Sequence, residues 1–146
     1  MYYMPTINYV AVLVAAIAAM ILGGIWYGPL FGKLWMKGMG WDPNDKELMA
    51  KMKKSMGAGY TQMFIGALIQ AFVLAHVLWA FAHALPSMTG IWAGIQGGFW
   101  MWLGFILPVK YGDHLWGGKK LKYVAVDLGY YLVLLLVMGL IISCWK

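Results

Sequence analysis

The chain has 146 residues, 63% of them hydrophobic and only 11% charged, with a formal charge of +6. Soluble domains carry about 25% charged residues, and a chain of 16.3 kDa with a mean hydropathy of +0.72 cannot hide so much apolar surface in a core of its own. An ordinary water-soluble domain is excluded, and lipid must act as the solvent.

A bilayer core about 30 Å thick needs roughly 20 apolar residues per helix. Four stretches meet this requirement, at about 7–27, 61–85, 89–109 and 121–145. None alternates polar with apolar residues, which argues against β-barrel strands. The expected fold is all-α: a single polytopic membrane domain over 1–146, with four transmembrane helices in a compact bundle. The first stretch lacks a basic leader and exits through Gly28-Pro29 instead of a small-residue cleavage site. It reads as a retained helix, not a secretion signal.

Between the first two spans, the punctuation predicts a short amphipathic helix over about 43–56. Asp42 is its expected N-cap, Pro43 its first helical position, Asp45 and Glu47 lie in its first turn, and Gly57 is its stop. Leu48, Met49, Met52 and Met56 share one face and Lys46, Lys51, Lys53 and Lys54 lie elsewhere, a pattern that suits the membrane surface. A calcium loop at Asp42, Asn44 and Asp45 fails because Lys46 stands where the third ligand belongs and the required glycine is missing.

Lysine sets the expected topology. Lys33, Lys37, Lys46, Lys51, Lys53 and Lys54 lie between the first two spans, and Lys110, Lys119, Lys120 and Lys122 between the last two. The connection Pro86-Ser87-Met88 carries none, and Lys146 is the only lysine near the opposite face. The positive-inside rule then places both long loops in the cytoplasm and both termini outside, as in a multi-pass protein of a prokaryotic plasma membrane. The positive charge is explained by this topology and by anionic lipid head groups. With no arginine in the chain there is no bidentate phosphate fork, which argues against nucleic acid.

Polar groups inside the spans are the candidate sites, because ionisable side chains there are costly and turn to the bundle interior. In the second span, Gln62, Ile69, His76 and His83 recur every seven residues beside the small-residue row Gly66, Val73 and Ala80, and Gln70 lies on the same helix. His76 reads as a structural hydrogen-bonding residue and His83 as an interfacial one. Haem or metal ligation is disfavoured because the two histidines lie roughly 10 Å apart along one helix; a proton relay stays open. In the third span, Gln96 falls at about the depth of His76, and Gly90, Gly94 and Gly98 form a packing row. Ala11, Ala15, Ala19 and Gly23 do the same in the first.

Asp127 is the only carboxylate inside a span, about two turns into the fourth, with Tyr130 and Tyr131 three and four residues on. Burial favours its neutral form, whereas a lysine such as Lys122 or Lys33 reaching in from the interface favours the charged one. It reads as a buried anchor or as a transport carboxylate. Cys144 is single, so neither a disulfide nor a thiolate metal cluster is expected. Trp26, Tyr27, Phe31, Trp35 and Trp41 read as an aromatic belt at one interface and Trp145 at the other. Tyr27-Gly28 and Tyr111-Gly112 also form a weak internal echo.

The chain resembles the bacterial and archaeal membrane proteins grouped as domain of unknown function 1761. The resemblance rests on Asn8-Tyr9, the run Trp26-Tyr27-Gly28-Pro29-Leu30-Phe31-Gly32-Lys33, Trp35-Met36, Trp102-Leu103-Gly104-Phe105, Gly129-Tyr130, Leu136-Val137-Met138-Gly139 and Trp145. It implies four membrane helices and supplies no activity, cofactor or catalytic residue. Asp127 and Tyr131 depart from it, standing where Asn and His are expected.

Two functional classes stay open. In a small homo-oligomeric permeation or solute-binding protein, Asp127, Gln70, His76 and Gln96 would line a polar path. In a structural or accessory subunit of a larger membrane assembly, the glycine and alanine faces do the work by packing. The first needs these polar side chains to converge on a water-accessible cavity; the second needs them satisfied in pairs. No nucleophile, metal cluster or carboxylate pair indicates an enzyme, and no cofactor is expected.

Overall fold

A computed structural model describes residues 4–145, and among them there is no strand. The helices are α1 (Tyr9–Ile25), α2 (Gly32–Gly38), α3 (Lys46–Ala84), α4 (Gly90–Met101), α5 (Leu107–Leu115) and α6 (Leu121–Cys144). Two π-helical turns, Trp26–Leu30 and Trp102–Ile106, continue α1 and join α4 to α5. Four continuous helical segments are long and apolar enough to cross a membrane: Tyr9–Leu30, Lys46–Ala84, Gly90–Leu115 and Leu121–Cys144. The molecule has a lysine-rich end and, opposite it, a terminal end where α1 begins and α6 finishes. Lys146 lies outside the described residues.

Helix starts follow side-chain capping. The Asn8 carboxamide oxygen accepts from the backbone N–H groups of Val10 at 3.0 Å and Ala11 at 3.1 Å, satisfying two of the donors a helix start leaves open. Its Nδ2 also donates to the Trp145 carbonyl at 3.1 Å, so one residue caps α1 and ties it to the end of α6.

The expected short helix over 43–56 is not a separate element. Asp45, not Asp42, is the cap, accepting from Glu47 and Leu48 N–H at 3.1 and 3.0 Å. Asp42 instead closes a turn onto Asn44 N–H at 2.9 Å, which leaves Pro43 outside the helix. Gly57 does not stop the helix either, and α3 continues for 39 residues. Glycine within a helix costs only about 1 kcal/mol relative to alanine; without a left-handed C-terminal turn at Gly57 the hydrogen-bond ladder runs through. At 1.5 Å per residue, α3 is about 58 Å long, roughly twice the bilayer core.

The third span also runs further than expected. It continues to Leu115, so Lys110 belongs to a helix and not to a loop. Pro108 is accommodated because it falls in the first turn of α5, where its missing N–H is not required.

The buried core is made by α1, α3 and α6. Val12, Ala15, Ala16 and Ala19 meet Ala67, Ala71, Leu74, Ala75 and Leu78, with Tyr130, Leu134, Leu135 and Met138 between them. Helix α4 packs on α6 by backbone approach. A Cβ added at Gly94 would lie 2.6 Å from Ser143 Oγ and would overlap the Gly139 carbonyl, and one at Gly98 would lie 2.8 Å from the Leu135 carbonyl carbon. Small residues let two membrane helices gain dispersion contacts where hydrophobic driving force is absent. Ala15 and Ala19 are buried in the α1 face, and Gly23 faces the Tyr130 hydroxyl, 3.2 Å from where its Cβ would be. Gly90 differs from the other glycines in its row: it begins α4 with φ +67° and has no close neighbour for a side chain.

Candidate functional site: a polar knot around Asp127

Two tryptophans organise the lysine-rich end. Trp26 opens the first π turn and Trp102 the second, and each turn is closed by a bond five residues back, the first from Phe31 N–H to the Trp26 carbonyl at 2.8 Å. Pro29 lies inside the first turn, and a proline cannot supply the N–H that a regular helix would need there. The wider turn swings both indoles onto α6. Trp26 Nε1–H donates to the Val126 carbonyl at 3.1 Å, and Trp102 Nε1–H to the Leu128 carbonyl at 2.9 Å. A helix carbonyl keeps a second lone pair for such a bond. The two indoles thus bracket Asp127 along the chain. Turns of this kind mark functional positions in other helices.

Asp127 has a side chain only 16% exposed. The Tyr27 hydroxyl donates to Oδ1 at 2.8 Å, and Lys110 Nζ lies 3.8 Å from Oδ2. Lys110 is shared, since Asp113 Oδ2 is 3.7 Å away; Lys119 Nζ lies 4.0 Å from the same oxygen. The result is a chain of opposite charges, Asp127, Lys110, Asp113 and Lys119, that sums to zero. Pairing offsets the large desolvation penalty of a carboxylate inside a span. The ion-pair distances exceed hydrogen-bond length, so the short Tyr27 contact is the directional one.

Aromatic rings wall this network. Tyr27 packs on Tyr130 with centroids 4.9 Å apart and edge-on to Trp35 at 5.3 Å. Tyr130 lies 5.2 Å from Tyr131, and Lys110 Nζ sits 5.7 Å from the Tyr131 ring centre, within cation–π range. Trp26 and Tyr27, expected in a lipid-facing belt, are partly buried and hydrogen-bonded against α6. The π turn is what redirects them inward.

The structure places the other candidates elsewhere. His76 and His83 each set Nδ1 2.8 Å from a carbonyl of their own helix, those of Phe72 and Trp79. A carbonyl only accepts, so Nδ1 carries the proton in both rings. Gln96 is exposed on α4, and Gln70 is half-buried on α3. The bonds of Asp127 go to Tyr27 and Lys110 and to none of Gln70, His76 or Gln96. Lys33 and Lys122, the expected partners of Asp127, are exposed, with Lys122 over the Tyr123 ring at 5.0 Å. Sequence reasoning missed Tyr27 and Lys110 as site residues. The available signal was the repeated Trp-x-Gly at Trp26 and Trp102, each with a proline close behind, and this pair, not Tyr27-Gly28 with Tyr111-Gly112, occupies equivalent places.

Comparison with curated proteins and with solved structures finds no match. A family model described as "Protein of unknown function (DUF1761)" matches residues 10–143, nearly the whole chain, and the protein belongs to that family.

Proposed function

We propose that this protein is a structural or accessory subunit of a membrane assembly, with the Asp127 knot as an internal anchor and the outer face of α4 as its docking surface. The observation that carries the reading is Gln96. It stands exposed on α4 between Trp92, 69% exposed, and Trp100, 53% exposed, at a spacing of four residues on either side. It lies six residues into the span that begins at Gly90, or about 9 Å along the helix. A carboxamide facing hydrocarbon there loses its hydrogen bonds to water, at several kcal/mol. A second membrane helix that offers a polar side chain removes this cost, and the flanking indoles supply apolar contact area. The partner is another copy of this chain or a different membrane subunit.

The pairing of Asp127 supports the same reading. A permeation path needs Asp127, Gln70, His76 and Gln96 on one water-accessible surface, whereas Asp127 has intramolecular partners on α5 and in the first π turn. Native mass spectrometry of the protein extracted gently from its own membrane tests the proposal. The expected result is a complex of fixed stoichiometry that Gln96→Leu disrupts while the isolated chain stays folded. A monomer in both cases, or the same complex with Gln96→Leu, would overturn it. In liposomes, ion flux should be at background for the wild type and unchanged by Asp127→Asn; flux abolished by that substitution would favour permeation.

A further inference from the structure

At the terminal end, opposite the Asp127 knot, lies a cavity of about 510 Å³. It is a half-open cleft lined by the last turns of α3, the approach to α1, the first turns of α4 and the end of α6, with Leu78, Ala93 and Ile142 among its apolar walls. Its volume lies in the range of small-molecule sites, about 300–1,000 Å³. None of Asp127, Gln70, His76 or Gln96 lines it. The bond from Asn8 Nδ2 to the Trp145 carbonyl straps one side shut.

The polar groups of this cavity are not knotted together as they are at the other end. Trp79, in its wall, has an indole Nε1 that is buried and has no hydrogen-bond partner. Leaving such a donor unpaired costs about 1–3 kcal/mol, and an indole N–H can only donate, so what it lacks is an acceptor. His83 packs against the ring at a tilt, with centroids 4.1 Å apart, and donates from Nδ1 to the Trp79 carbonyl. Ser143 adds a mostly buried hydroxyl to the lining.

We propose that this cavity binds the uncharged ester portion of a lipid-soluble molecule through its carbonyl oxygen, which accepts from Trp79 Nε1–H, with the hydrocarbon body against Leu78, Ala93 and Ile142. The N–H itself has almost no accessible surface, so the acceptor reaches it through a turn of the indole about its two side-chain torsions. Apolar walls select against charged solutes, since none of the lining residues is a lysine, aspartate or glutamate. The cavity lies where α3 and α6 end and α4 begins. The same ester chemistry is carried by a bilayer phospholipid or by a free single-chain ester. This site is separate from the α4 face and does not depend on the assembly reading.

The test uses the full chain labelled with 15N-tryptophan in an alkyl maltoside micelle, which has no carbonyl. The Trp79 indole resonance is assigned by Trp79→Phe. Methyl octanoate should move that resonance saturably, and nonane at the same mole fraction should not. Ala93→Phe, which fills the cavity, should abolish the shift, and Trp79→Phe should weaken methyl octanoate binding about tenfold by equilibrium dialysis. If Ala93→Phe fails to fold, the dialysis comparison stands alone. A second arm replaces methyl octanoate with a short-chain phosphatidylcholine: a larger shift with the phospholipid assigns the bilayer as the source, a larger shift with methyl octanoate a free ester. A Trp79 resonance unmoved by both esters, or moved equally by nonane, would overturn the proposal, as would unchanged binding in Trp79→Phe.

Discussion

The two ends of this molecule treat buried polar groups in opposite ways. At the lysine-rich end, two indoles and a tyrosine hydroxyl all have acceptors on α6, and the Asp127 carboxylate has a lysine beside it. At the terminal end, an indole of the same kind is buried beside a cavity with no acceptor. Satisfied polar networks rigidify a fold, whereas a buried donor left without an acceptor costs stability. Counting tryptophans or polar residues would not separate the ends; only the pairing does.

The largest expected effect removes the contrast altogether. Gly139→Val drives a side chain into the Gly94 backbone, with even its Cβ only 2.8 Å from the Gly94 carbonyl carbon. It should separate α4 from α6 and lower stability by about 3 kcal/mol or more, read as loss of the folded monomer in detergent unfolding. Next is Asp127→Ala, which strands the Tyr27 hydroxyl and leaves Lys110 with Asp113 alone; the expected loss is about 2–3 kcal/mol. Asp127→Asn should lose less, because an amide oxygen still accepts from Tyr27.

Smaller effects sharpen the comparison. Trp26→Phe and Trp102→Phe each delete one indole donor together with the second ring that packs beside it, and each should cost about 1 kcal/mol or more. Trp79→Phe makes the same chemical change at the other end. In the absence of a ligand it should alter stability by less than about 0.5 kcal/mol or raise it, since it removes an unpaired donor. Equal losses at all three tryptophans, measured by urea or detergent titration in one micelle, would erase the distinction between the ends.

Much of the architecture was legible because apolar length is a local property. The four spans followed from runs of hydrophobic residues, and Asp127 stood out as their lone carboxylate. Tyr130 and Tyr131 were read from their spacing to it, and both do join its aromatic wall. The partners of Asp127 were not legible. Tyr27 lies a hundred residues away in sequence, and it reaches α6 only because a π turn rotates it inward. That turn contains Pro29 and opens at Trp26, whose indole is held to α6 by a tertiary bond with no local signature. Lys110 was hidden by a boundary, since a lysine after an apolar run reads as the start of a loop. Gly57 misled in the opposite sense: a residue that often stops helices stops one only if the chain turns left-handed there, and α3 has reason to continue in the turns that follow.

The Tyr27–Asp127 bond joins the π turn after α1 to α6. A double-mutant cycle with Tyr27→Phe and Asp127→Ala, followed by reversible unfolding in mixed micelles, measures that bond against its surroundings. The expected coupling is about 1–2 kcal/mol, as for residues sharing one network. Additive losses, with a coupling below about 0.3 kcal/mol, would mean that Asp127 does not anchor the fold through Tyr27, and would contradict its reading as an internal structural knot.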